Sequence, residues 1–246
     1  MAARKKALKT HASTSMASIE EQLSQEVAGI QNQIGSVGGN KIKTTDKVFT
    51  FPDGTIDPGP IQVVIVDFIS RNLFYEGAYD ANNPQPPVCF AIDKIVKNLV
   101  PSQNASDPQG ESCETCAMNE WGSEGRGKAC KNTRLLAVMA ADATGDDEIM
   151  TIEVAPTGIK GFDAYVSTVA NTYNKPPIAV VTELSFDPSK SYPKLGFKVV
   201  GVNDNLAVHF GKRDEAKTML ESEPDTTVAD TKPTRKKPTR RRRRAA

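Results

Sequence analysis

Apolar residues at Ile19, Leu23, Val27, Ile30 and Ile34 recur every three or four positions, which predicts a helix over 15–34 carrying one narrow apolar stripe. Ser18 and Glu21 have the spacing of a capping box at its start, and Gly35–Gly39 reads as a linker at its end. From Lys41 the period changes. Partial alternation to Phe51 and a Pro52-Asp53-Gly54 turn predict β structure. Ile61 to Leu73 is rich in β-branched residues and predicts a largely buried strand. Shorter strands are expected over Val88 to Ile92, Leu135 to Ala140 and Ile149 to Val154, the last two joined through Thr144–Asp147. Phe162, Tyr165, Val166 and Val169 predict one face of a helix over Gly161 to Tyr173. Ile178 to Phe186 and Leu195 to Val202 read as a strand pair, and Asn203 to Glu221 as a last helix.

About six strands and two helices without a βαβ rhythm predict a mainly β fold with α additions, an antiparallel small barrel rather than a doubly wound sheet. Three regions follow. Residues 1–40 form a basic arm plus the amphipathic helix, and 41–220 form the β domain. Residues 221–246 form an acidic linker with an Arg-rich tail, compositionally a disordered segment. The 15–34 stripe offers a route to self-association.

The formal net charge of +1 conceals segregation. Lys and Arg crowd into 1–16 and 232–246, where no acid occurs, and all 30 acids lie between them. An acidic body with basic tails is suited to polyanions or acidic partners at its ends. The basic start is followed by no apolar segment, and the longest apolar run, Val63–Val66, is too short for a membrane span. The expectation is a cytoplasmic protein, not secreted and without a membrane partner.

Four cysteines, Cys89, Cys113, Cys116 and Cys130, lie within one stretch, and none occurs elsewhere. The Cys-x-x-Cys gap lets two thiolates reach one cation, with the outlying pair completing a tetrahedral structural Zn²⁺ site. The alternatives are two disulfides, which require an oxidising compartment, and four unrelated buried thiols. Residues 98–130 have little periodicity, consistent with an insertion organised by the cysteines over about 89–130.

Between the cysteines stand Trp121, Gly122, Gly125 and Gly127, with Arg126, Lys128, Lys131 and Arg134 nearby. A tryptophan among cations suits stacking on a base beside neutralised phosphates; the alternative is a ring that plugs the core beneath the cysteines. Arg71, Phe74 and Tyr75, followed by Tyr79, form a second candidate surface. Asn119 and Asn132 read as turn or loop hydrogen-bonders, and His209 as a structural histidine. Arg240, Arg241, Arg242, Arg243 and Arg244 would give sequence-independent, salt-sensitive affinity for nucleic acid. No Walker loop, His-Glu-x-x-His motif or nucleophile elbow is found, so no enzyme activity is expected. Asp142, Asp146, Asp147 and Glu148 could imitate a nuclease cluster but coincide with a turn.

The strings VVIVDFISRNLFYEGAYD and PPVCFAI, then Cys-x-x-Cys and MNEWGSEGRGKACKN, resemble tailed-phage single-stranded-DNA-binding proteins, over about 41–202 and most strongly over 61–134. The resemblance implies an OB barrel with a zinc-ribbon-like insertion. Cys89, Cys113, Cys116 and Cys130 would be the zinc ligands, and residues around 71–79 and 121–134 would face the strand. It also implies roles in DNA replication, repair or recombination and partners among replication or recombination proteins. This chain departs from that pattern in ending on five arginines, where such proteins typically carry an acidic partner-recruiting tail. The expected function is therefore non-catalytic binding of single-stranded DNA. The alternative is a virion or assembly protein whose Arg-rich tail binds or neutralises genomic nucleic acid.

Overall fold

A computed structural model describes residues 40–77, 85–224 and 226. The expected 15–34 helix, Tyr79 and the tail from Lys232 to Arg244 lie outside the described residues. The strands are β1 (Lys41–Ile42), β2 (Phe49–Thr50), β3 (Ile56–Asp57), β4 (Ile61–Phe74), β5 (Cys89–Asp93), β6 (Lys131–Ala140), β7 (Met150–Val154), β8 (Val180–Phe186) and β9 (Leu195–Val202). The helices are α1 (Pro156–Tyr173), α2 (Leu206–Gly211) and α3 (Arg213–Glu221). Strands β2 and β3 form a separate small ribbon. The others form one sheet in the order β1-β7-β6-β4-β8-β9, with β5 paired to β4 off this path.

Strand β4 is the axis. One edge pairs with β6 from Val63 to Leu73. The other is divided, Ile61–Val63 pairing with β8 and Ser70–Phe74 with β5. A register shift between Ile65 and Asp67 inserts Val66 as an extra residue, and such a bulge reverses the alternation beyond it. Ile61, Val63 and Ile65 accordingly share one face with Phe68, while Val64, Val66 and Ile69 line the other.

Both faces are covered, so β4 needs apolar residues on both. Phe162, Tyr165 and Val169 of α1 pack on the first face. The Phe162 ring meets Phe68 edge-on at 5.0 Å and Phe197 at 5.2 Å. Ala216 and Leu220 of α3 close the second face over Leu135, Ala137 and Met139. Pro156 sits in the first turn of α1, where its missing N–H costs nothing, and Asn174 ends that helix in the left-handed region at φ 50°.

Two expectations are corrected. The sheet is open and mixed, not an OB-like closed antiparallel barrel: β1 and β9 end it unpaired with each other, and β1 runs parallel to β7. Closure would have left one apolar face of β4 outside, whereas helices on both faces bury each of them. The last helix is two. Lys212 leaves helical geometry at φ −89°, ψ 3°, and its N–H bonds back three residues to His209 O. His209, fully buried, fixes this corner with Nε2 3.0 Å from Ala140 O and Nδ1 2.9 Å from Asn205 O. Among the described residues no helix is long and apolar enough to cross a membrane.

Candidate thiol centre and nucleic-acid interface

The segment between β5 and β6 has no strand of its own. It is held by isolated backbone bonds: Cys113 N to Leu99 O at 3.1 Å, Cys130 N to Met118 O at 2.8 Å, and Gly122 N to Gly127 O at 2.8 Å. Gly122 and Gly125 take φ of 93° and 59°, a region that penalises any Cβ, which explains the glycines beside Trp121.

This segment brings all four cysteines together. Cys89 opens β5 opposite Phe74, and Cys113, Cys116 and Cys130 close over it from the irregular segment. Each is 7–9% exposed and none is paired in a disulfide. They line one cavity of about 10 Å³ together with Asn72 and Phe74, room for about one water-sized body. Burial first, and then repulsion from Cys113, Cys89 and Cys116, pushes the Cys130 thiol up to about 12, with Lys128 opposing. Burial likewise raises Cys89 and Cys113, and a hydrogen bond from the Asn72 side chain works against the rise at Cys113.

Four buried, unpaired thiols around one ion-sized cavity are by chemistry the donor set of a closed tetrahedral zinc site. Burial disfavours the thiolate form at Cys89, Cys113 and Cys130. Among the described residues, however, no group of three or more Cys, His, Asp or Glu stands in metal-holding geometry. The donor set fits the ion in kind, but its arrangement in this structure does not hold one.

The candidate interface residues fall into separate places. Trp121 is 79% exposed, so it is not a core plug. Lys128 Nζ stands 5.8 Å from its ring centroid, and Arg126 is exposed on the same loop. Lys131 is exposed, with its Nζ 5.4 Å from the Tyr75 ring. Phe74 faces the thiol cavity, whereas Tyr75 packs against Leu73, Phe90 and Ala105. Both are half-buried, and both line the cleft beside Lys131. Arg71 is half-buried in β4, and its buried Nε has no hydrogen-bond partner among the described residues.

Arg134 requires a correction. It is 9% exposed, and its guanidinium grips Asp163 of α1, Nε to Oδ1 at 3.2 Å and Nη2 to Oδ2 at 3.0 Å. A side chain so engaged is a strut between sheet and helix, not a phosphate contact. The cleft beside Tyr75 and Lys131 is also lined by Glu76, Glu124 and Glu153, so it is not a basic channel. Of the acids in this stretch, Asp147 closes the turn by accepting hydrogen bonds from Thr144 N and Oγ1, and Glu148 accepts one from the distant Asn40.

Asn72 is the residue that sequence reasoning missed. Asparagine is disfavoured within strands, and its position inside a run read as a largely buried strand was the available signal. These features define an open mixed α/β sheet with a thiol-lined module on the face that also carries α1. Comparison with protein-family models, curated proteins and solved structures finds no match.

Proposed function

We propose that the protein binds single-stranded DNA without catalysis, through a ridge presented by the thiol-centred module, in replication, repair or recombination. The observation that carries this reading is Trp121: a large ring left almost wholly in solvent, with Lys128 beside it and Arg126 on the same loop. An exposed aromatic surface is costly in water and useful for stacking on unpaired bases, while neighbouring cations neutralise phosphates. Lys131 beside Tyr75 extends the cationic side of the ridge. Cys89, Cys113, Cys116 and Cys130 would hold a structural Zn²⁺, whose contribution when bound is to fix the loop rather than to react. The Arg240–Arg244 segment would add salt-sensitive affinity.

Anisotropy of a labelled oligonucleotide tests this directly. Binding should weaken steeply as salt rises, and Trp121→Ala should cost about 1–3 kcal/mol of binding free energy. Unchanged affinity in a folded Trp121→Ala protein removes the ridge from the function.

A second reading has its own support. Glu76, Glu124 and Glu153 line the neighbouring cleft and Arg134 is tied up internally, so the body's cationic surface is thin. In that case nucleic acid is neutralised by the tail alone, as in a virion or assembly protein. Deleting 232–246 separates the two readings: loss of all binding favours the second, and retained Trp121-dependent binding favours the first.

A further inference from the structure

Three asparagines connect the thiol cavity to the exposed tryptophan. Asn72 of β4 and Asn132 of β6 are direct cross-strand partners, and Asn119 stands on the turn after Cys116. Lys128 Nζ lies 3.2 Å from Asn119 Oδ1. An ammonium only donates, so that atom must be the amide oxygen. The other end of Asn119 then donates through Nδ2 to Cys113 O at 2.6 Å. Asn132 Nδ2 donates both to Asn119 Oδ1 at 2.9 Å and to Asn72 Oδ1 at 2.7 Å. With its oxygen occupied, Asn72 has its N–H groups left to donate where it lines the thiol cavity beside Cys113. One cation therefore fixes the orientation of the whole chain, which holds the Cys113 backbone at Asn119 and reaches the thiol cavity at Asn72.

Such an arrangement is expensive without a purpose. Asn72 is only 5% exposed, and burying amides is unfavourable unless every group is partnered. An apolar pair at 72 and 132 would fill the same sheet positions more cheaply. Amides that hold a ligand's backbone and line its cavity orient that ligand, as groups behind a metal's direct ligands commonly do.

We propose that Asn72, Asn132 and Asn119 form an amide relay that orients Cys113 as a metal ligand and ties the thiol cavity to the Lys128–Trp121 pair. Filling the cavity then sets the position of the stacking residue. The inference rests on the metal reading above and adds positioning residues to it. Neither Asn119 nor Asn132 needs to touch nucleic acid for this role.

Trp121 is the only tryptophan in the chain, so its fluorescence reports this loop alone. The full chain is loaded with Zn²⁺ under reducing conditions, its zinc affinity is measured by competition with a chromophoric chelator, and its emission is recorded before and after zinc removal. The native chain should bind one zinc and change its emission on removal. Asn119→Ala should bind zinc about 10–100-fold more weakly and lose the emission change. Asn119→Asp keeps acceptors for Lys128 and Asn132 and should retain that change, as should a relay intact in all but its bond to Cys113 O. Should Asn119→Ala fail to fold, Asn132→Ala, which cuts the relay at its middle, should give the same pair of losses. Native zinc affinity and a native emission change in the alanine variants overturn the relay while leaving the metal reading standing. A native chain that binds no zinc removes both, and differs from the first failure in its zero stoichiometry.

Discussion

Arg134 and Asp163 join β6 to α1 through two parallel hydrogen bonds, with the arginine buried and the aspartate at the protein surface. The asymmetry decides what each substitution does. Asp163→Ala leaves a guanidinium 9% exposed without its partner, and a buried unsatisfied group costs about 1–3 kcal/mol. The urea midpoint should fall accordingly. Oligonucleotide affinity of the folded fraction should not change, because Arg134 faces the helix rather than the ridge.

Phe162 and Trp121 should respond in opposite senses. Phe162 is fully buried between Phe68 and Phe197, so Phe162→Ala should destabilise by about 3–5 kcal/mol. Trp121→Ala, at an exposed site, should change stability by no more than about 0.5 kcal/mol. Its effect should appear in binding instead. Denaturant unfolding of both variants, beside the anisotropy measurement, checks the division.

Glu223 gives an acid-side prediction. Hydrogen bonds from Ser102 Oγ and Asn104 Nδ2, at 2.6 and 2.7 Å, hold its carboxyl below the usual carboxylate value. A carboxylate whose value is depressed by folding stabilises the protein above the unfolded value and loses that contribution as pH falls through the folded one. Unfolding midpoints of the native chain should therefore drop further than those of Glu223→Gln as pH falls below about 4.5. Parallel curves for the two proteins would show that this clasp on the segment after α3 contributes nothing.

The strands that repeat with period two, and the α1 face of Phe162, Tyr165 and Val169, could be read along the chain because each is a local pattern. The sheet's openness could not. Val63 to Val66 is apolar on both faces, which hides the bulge at Val66, and the parallel pairing of Lys41 with Thr151 joins residues far apart in sequence. The break at Lys212 depends on His209 reaching Ala140 O, a contact that helical periodicity cannot contain. At the site, cysteine spacing marked four thiols that line one cavity, and glycines marked the loop. Arg134 was misread because its partner Asp163 lies on another element. Asn119 and Asn132 looked like turn residues because their polar partners meet only when β4, β6 and the module assemble.

On the proposed zinc reading, a chelator should loosen the module without unfolding the sheet, since the two main clusters lie around α1 and α3 rather than around the thiols. Far-ultraviolet circular dichroism should change little when a chelator is added, whereas oligonucleotide affinity should fall. A global unfolding transition on chelation would instead make the thiol centre part of the main core.

Titrating the reduced, metal-free chain with Co²⁺ tests the centre most directly, because tetrahedral thiolate coordination gives cobalt an intense sulfur charge-transfer band and visible ligand-field bands. The account predicts saturation at one cobalt per chain, displacement by one zinc, and protection of Cys89, Cys113, Cys116 and Cys130 from thiol reagents. A spectrum without those bands, with all four thiols still reactive in excess metal, would contradict it.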